Sequence, residues 1–366
     1  MNHDLAHLAR IITDGFLPAK LALLQGPKDR VTGPVAADRI RGMLLGLAIG
    51  DALGNTSEGM SAAQRDARFG EIRDYLPNEH ANGTRVGLPS DDSQLAFWTL
   101  ESLLDLGALD PDDLAARFAS RRIFGIGKSV QEFLHNREQG ITPWYRCGAE
   151  SAGNGALMRI APIVLLHPDG TGPGLWLDTA LASIVTHRDA ASVAACVAFT
   201  DLLTRLLRLP APPTAEWIIR TFVGTVRQVC TDEAYRPRGG VLAGWEGSFP
   251  DYLDHALAEA ARQHWSTRQA CDAWGSGAYL LETVPSVLWI LASHVHDTTE
   301  AIVRAVNDTG DNDTVAAIVG AAVGALHGAQ ALPGSWRAGL LGRTGASDDG
   351  VVFRLIEAAV RQRQFS

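Results

Sequence analysis

The chain has 366 residues, 46% of them apolar, enough to bury a sizeable core in one or two domains. A formal net charge of −9, with no run of lysine and arginine, excludes a surface that tracks a nucleic-acid backbone, so any anionic ligand must be held locally. Cys147, Cys196, Cys230 and Cys271 stand singly, with no C-x-x-C pair, and fit core thiols in a reducing compartment rather than a disulfide framework. Near the start, His3, Asp4, His7 and Arg10 interrupt the apolar residues. Neither a signal peptide nor a membrane span is expected there, and the protein reads as soluble and cytoplasmic.

Gly26, Pro27, Gly33 and Pro34 break any helix and divide an N-terminal extension, residues 1–36, from a domain over residues 37–366. The extension reads as a docking or partner-binding arm. Ile40, Met43, Leu44 and Leu47 follow the i, i+3, i+4, i+7 rule and predict a helix over residues 39–50, closed by Asp51. From Ser93, the run through Leu95, Trp98, Leu100, Leu103 and Leu104 predicts a second, stopped by Gly107. Helical patterns recur over residues 112–118, 177–184, 190–207, 214–229, 252–264, 279–294 and 299–306. Val315, Ile318, Val319, Ala322 and Val323 mark another, with alanines and glycines suited to close packing, and residues 351–361 the last. Alternating strands are scarce, so the fold class is all-α.

Two of these helices open on acids, at Ser90-Asp91-Asp92 and at Asp311-Asn312-Asp313-Thr314. The ordinary explanation is helix capping, and Ser347-Asp348-Asp349 before the last helix shows that such a tripeptide alone means little. What separates the first two is the apolar content of the helices they open. Paired carboxylates at a buried helix end repel and pay a desolvation penalty unless something positive joins them. Oxygen donors with no suitably spaced His or Cys favour Mg²⁺, Mn²⁺ or Ca²⁺ over zinc. The helix N-termini are expected to keep the acids ionised near neutral pH. His294 and His296 lack a third ligand, and a lone His such as His187 reads first as hydrogen-bonded structure.

Four motifs then recur in the order seen in the ADP-ribosylglycohydrolase family. They are Arg41-Gly42 through Gly50-Asp51-Ala52-Leu53-Gly54 with Glu58, then Pro89-Ser90-Asp91-Asp92-Ser93-Gln94. Gly153-Asn154-Gly155-Ala156-Leu157-Met158-Arg159-Ile160-Ala161-Pro162 with Thr186-His187 is the third, and Gly310-Asp311-Asn312-Asp313-Thr314 the fourth. Over residues 38–330 the chain resembles that family. The resemblance implies a compact, orthogonally packed helical domain whose cleft holds two Mg²⁺ ions, with Mn²⁺ as a substitute. The ligands it implies are Ser90, Asp91, Asp92, Asp311, Asp313 and Thr314. Ser90 departs from the usual Thr; it keeps the oxygen but is less restricted in rotation, which points to weaker metal affinity.

The activity implied is hydrolysis that removes ADP-ribose from a modified protein side chain, arginine first, with serine or O-acetyl-ADP-ribose as alternatives. By resemblance Glu58 positions substrate or transfers a proton, and Asp92 is the alternative base; without it, Glu58 reads as an exposed loop acid. The Gly153-Asn154-Gly155 turn offers backbone N–H groups to a diphosphate. Met158, Arg159 and His187 join it as substrate-binding residues, although Arg159 by itself reads as a structural ion-pair partner. Tyr279 either stacks on an aromatic ring of the substrate or fills the core. Some immunity members of the family resemble this chain in carrying an N-terminal extension, which adds a second reading: a protein that binds and occludes an ADP-ribosylating toxin.

Overall fold

A computed structural model describes residues 11–12 and 14–364, which form fifteen α-helices and two hairpins of two-residue strands. The all-α class expected from the patterning is the class found. In chain order the elements begin with α1 (Ala37–Asn55), α2 (Ala62–Phe69), the hairpin β1 (Pro77–Asn78) and β2 (Thr84–Arg85), α3 (Asp91–Leu106), α4 (Pro111–Ser120) and α5 (Lys128–Glu138). They continue with α6 (Pro173–Ile184), α7 (Ala190–Leu206), α8 (Ala215–Val229), the hairpin β3 (Ala234–Tyr235) and β4 (Gly247–Ser248), α9 (Phe249–Arg262) and α10 (Thr267–Trp274). The last are α11 (Leu280–His294), α12 (Thr298–Asp308), α13 (Asn312–His327), α14 (Gly334–Gly339) and α15 (Val351–Gln364).

Each strongly periodic segment is a helix, and the differences at the ends have local causes. Helices α4, α6 and α9 start before the apolar pattern does because a proline occupies the first turn, where its missing N–H is not needed. Helices α2 and α10, absent from the expectation, carry few apolar residues, yet each opens on a capping box: Ser61 with Gln64, and Ser266 with Gln269. Asp51 does not close α1. The helix runs on to Asn55 and Asp51 is fully buried within it.

The centre of the molecule is α13, buried all round from Asn312 to Leu326 and packed against α1, α3, α7, α11 and α12. Its contact with α1 is of a special kind. Gly42, Gly46, Gly50 and Gly54 recur every fourth residue and so share one face of α1. A Cβ on Gly46 would overlap the carbonyl oxygen of Gly320, one on Gly50 that of Ala316, and one on Gly54 the backbone of Asp313. The two helices therefore run antiparallel with their backbones touching, and the C-terminal end of α1 lies against the first turn of α13.

Residues 14–36 of the expected extension lie along the domain; residues 1–10 and 13 are outside the described residues. The Lys20 amide donates to the carbonyl of Val229, the Val31 amide to Thr171, and Arg205 and Arg208 donate to the carbonyls of Asp29 and Gly33. All four cysteines are buried free thiols. No helix among the described residues is long and apolar enough to cross a membrane.

Replacing a helical glycine by alanine normally stabilises a helix by about 1 kcal/mol. At Gly46 the added methyl meets a backbone carbonyl that cannot rotate aside, so Gly46→Ala is expected to lower the unfolding free energy by about 1–3 kcal/mol. Gly224→Ala on α8, where a Cβ meets nothing within 4 Å, is expected to raise it. Denaturant unfolding of the two variants should therefore move in opposite directions.

Candidate functional site

Where α1 meets α13, a third helix is drawn in by a buried carboxylate. Both Asp51 oxygens lie 3.0 Å from the amide of Ser90, and Oδ2 lies 3.0 Å from that of Ser93. An acid on α1 thus satisfies free N–H groups at the start of α3. Ser90 accepts from the Asp92 amide at 3.3 Å and donates to Asp92 Oδ2 at 3.2 Å. Asp92 Oδ1 is buried with no hydrogen-bond partner among the described residues. At the start of α13, Asp311 accepts from Asn154 Nδ2 at 2.6 Å, and Asp313 Oδ1 accepts from the Thr314 amide at 3.0 Å. One carboxylate oxygen from each of Asp51, Asp92 and Asp313 falls within 4.8 Å of the other two.

Among the described residues no cationic side chain forms an ion pair with these acids. Burial, reinforced by the neighbouring carboxylates, pushes Asp91 up to about 8 and holds Asp92 and Asp313 well above the usual range. Burial also lifts Asp51 to about 6 despite its amide partners. The expectation that the helix N-termini help keep these acids ionised and ready near neutral pH is therefore corrected for the metal-free site: desolvation and mutual repulsion outweigh the helix ends. A bare buried carboxylate oxygen amid oxygen donors only is the environment of a hard divalent cation. Loss of the remaining protons would accompany its binding.

A cleft of about 440 Å³ opens onto the cluster, with Glu58, Asp91, Asp92, Asp311, Asp313 and Thr314 on its lining. Gly153, Asn154, Gly155, Met158 and His187 line it too. Glu58 is exposed, on the turn after α1; desolvation, then Asp311 and Asp51, raise its carboxyl above the ordinary value. The glycines belong to a turn wrapped around the imidazole: a Cβ on Gly155 would come within 2.9 Å of His187. Asn154 supports that turn by bonding both Thr283 and Asp311.

Arg159 is not in the cleft. It is fully buried, 4.9 Å above the Phe118 ring, and makes no ion pair among the described residues, so neither a phosphate contact nor a structural ion pair describes it. Its Nη2 donates to the Ala182 carbonyl at 3.0 Å and to Thr186 Oγ1 at 2.8 Å, and that oxygen lies 2.9 Å from His187 Nδ1. A guanidinium only donates, so the threonine proton is available to Nδ1. Burial and then Arg159 pull the His187 pKa down to about 3, so the ring is neutral; with Thr186 donating to Nδ1, the hydrogen lies on Nε2, beside the glycine turn. Tyr279 is mostly buried, with the Arg238 guanidinium 4.4 Å above its ring and its backbone paired to Gly153. It supports the wall from behind. Ser90 faces a neighbouring cleft on the other side of Glu58.

Three further residues join the site. Asp51 had its signal in the sequence, an acid inside an apolar helix pattern. Lys128 and Arg238, two cations lining the cleft, had none.

Asp51 and Asp91 have folded-state pKa values raised above their unfolded ones, so the folded state holds these protons more tightly. Stability is then present at low pH and lost as pH rises toward about 6 for Asp51 and about 8 for Asp91. The melting temperature of the metal-free protein is expected to fall from about pH 5 to about pH 8, with Mg²⁺ restoring more at the upper end. Asp313→Asn should lose the Mg²⁺-dependent increment, as read by thermal denaturation. Nitrogen-15 shifts of His187 are expected to report the Nε2–H form, and a mixture of tautomers in Thr186→Val.

The ADP-ribosylglycohydrolase family model matches residues 32–364. The chain is 29% identical over 318 residues to an ADP-ribosyl-[dinitrogen reductase] glycohydrolase of Rhodospirillum rubrum, covering 84% of this chain and 91% of that one. It is 26% identical over 336 residues to the ADP-ribosylarginine hydrolase Tri1 of Pseudomonas putida, covering 86% and 77% respectively. A solved structure titled as an ADP-ribosylglycohydrolase-related protein complex superposes with a TM-score of 0.65 at 27% identity, over 90% of this chain and 98% of the other.

Proposed function

Because the chain belongs to the ADP-ribosylglycohydrolase family, we propose that it hydrolyses the N-glycosidic bond joining ADP-ribose to an arginine side chain, in a site that holds two Mg²⁺ ions. The observation that carries the reading is the buried acid cluster, with its unpartnered Asp92 oxygen, at the floor of a glycine-lined cleft. Ser90, Asp91, Asp92, Asp311, Asp313 and Thr314 are assigned as the ligands, and Asp51 as the group that anchors the opening of α3. The catalytic domain is assigned to residues 37–366 and residues 1–36 to an N-terminal extension, of which residues 14–36 lie along that domain. Bound there, the cations would supply Lewis acidity toward ribose hydroxyls and water.

The chain's own groups supply the rest. The amides of Gly153 and Asn154 already donate to Ser151 Oγ and the Ala278 carbonyl, which leaves the Gly155 amide and the Nε2–H of His187 to donate to the diphosphate, helped by Lys128 and Arg238. Met158 packs beside the reacting ribose. As the water oxygen bonds to the anomeric carbon and the carbon–nitrogen bond breaks, the sugar gains positive character that the adjacent carboxylates stabilise. The water proton passes to Glu58, or to Asp92 as the alternative base. The departing guanidine keeps the electron pair of the broken bond and takes up a proton. Arginine as acceptor draws on the likeness to an ADP-ribosylarginine hydrolase. Occlusion of a toxin through residues 1–36 draws no support from residues 14–36, which lie along the domain.

With Mg²⁺ present, the protein is expected to release ADP-ribose from ADP-ribosyl-arginine and to stop when a chelator is added. Glu58→Gln should lower kcat by about 10²–10⁴ while changing KM little. Release from ADP-ribosyl-serine or O-acetyl-ADP-ribose alone would reassign the acceptor. No release from any of the three would sink the hydrolase reading.

A further inference from the structure

A second cleft, about 450 Å³, opens on the far side of Glu58 and shares Glu58 and Gly125 with the first. It reaches Ser90 at the start of α3, the residue before Asp91. Arg122, Arg343 and His80 line it, and among the described residues Glu58 is the only acid that does. Several half-buried arginines of this protein hold a carboxylate, as Arg41 does with Glu357 at 2.7 Å and Arg117 and Arg205 do with Asp113 and Asp201 at 2.6 Å. Among the described residues Arg122 and Arg343 form no ion pair. The Arg343 guanidinium lies 5.0 Å over the Phe124 ring and donates Nη1 to the Ala346 carbonyl at 3.2 Å, while its buried Nε has no partner. Asp348 acts on it only through space. The guanidinium is thus fixed in place on the cleft wall, with no carboxylate among the described residues paired to it.

The two arginine-bearing segments are tied to the catalytic helix by one side chain. Gln94, fully buried in the first turn of α3, donates Nε2 to the carbonyls of Arg122 at 3.0 Å and Thr344 at 2.8 Å, and accepts from the Phe124 amide at 2.9 Å. Residues 122–124 and 343–344 are thus held in register with Asp91 and Asp92. The first cleft has its own cations, Lys128 and Arg238, for the single diphosphate of ADP-ribose. A second cationic pair on the other side of Glu58 calls for a second anion, and past the anomeric carbon the substrate continues only as the acceptor.

Resting on the hydrolase reading, we propose that the second cleft binds the acceptor polypeptide and that Arg122 and Arg343 select acceptors with an Asp or Glu beside the modified residue. The net charge of −9 and the absence of a broad basic surface favour an acidic peptide over a nucleic acid as the occupant. The experiment compares kcat/KM on two ADP-ribosyl-arginine peptides that differ only in glutamate or glutamine at the positions flanking the arginine. The wild-type protein is expected to favour the acidic peptide about tenfold, the size of one good ion pair across an interface. Arg122→Glu should bring that ratio to one or below, and Arg343→Gln should reduce it. Free ADP-ribose affinity, read by calorimetry with Mg²⁺ present, should stay within about twofold in both variants. Equal rates on the two peptides, or a ratio unmoved by either substitution, overturn the proposal and leave the hydrolase reading standing. Weakened ADP-ribose binding in the variants overturns it too, since the cleft would then hold the diphosphate. No release from either peptide strikes arginine as the acceptor and takes this proposal with it.

Discussion

Backbone contact between α1 and α13 is the constraint on which the rest of the site depends. Because glycine stands at residues 42, 46, 50 and 54, and Gly320 and Gly324 answer on the other helix, the axes approach until carbonyls and Cα atoms touch. That approach sets Asp51 on α1 beside Asp313 on α13. Asp51 in turn binds the amides of Ser90 and Ser93 and so fixes where α3 begins. Three helices are joined at one point by a stripe of missing side chains and one buried carboxylate.

The arrangement opposes itself electrostatically. Packing draws Asp51, Asp91, Asp92 and Asp313 into a volume where burial raises each of their pKa values, and among the described residues no lysine or arginine pairs with them. Structural carboxylates elsewhere in the chain are treated differently: Asp201 is equally deep but is paired with Arg205 and Trp176. An acid cluster left without a paired counter-charge, beside a cleft with a neutral imidazole donor and two cations, separates roles spatially. Negative groups gather where a cation and a sugar cation would sit, and donors gather where phosphate would.

Much of this is legible in the sequence, and what is not has definite causes. The helices appear as periodic apolar runs because burial on one face imposes a period of 3.6 residues. The acidic openings of α3 and α13 are distinguishable from the similar Ser347-Asp348-Asp349 by the burial of the helices they open. The last of these is an ordinary capping segment: Asp348 accepts from the Gly342 amide and Asp349 from that of Val351. Asp51 resembles a helix end because an acid in an apolar run looks like a stop; its partners lie in another segment. The four-residue glycine spacing is present but carries meaning only once its partner helix is known. The role of Arg159 is hidden because it runs through Thr186 to His187, a relation of distance rather than of order. Lys128, Arg238, Arg122 and Arg343 sit on loops or helix ends with no periodic or motif signal at all.

The central claim is that the openings of α3 and α13 together hold the divalent cations. The most direct measurement is the anomalous scattering of Mn²⁺ in crystals grown with ADP-ribose. Two peaks are predicted, bounded by the oxygens of Ser90, Asp91, Asp92, Asp311, Asp313 and Thr314, with the terminal ribose against them. Peaks confined to surface acids, or a ribose seated away from this cluster, would contradict the account.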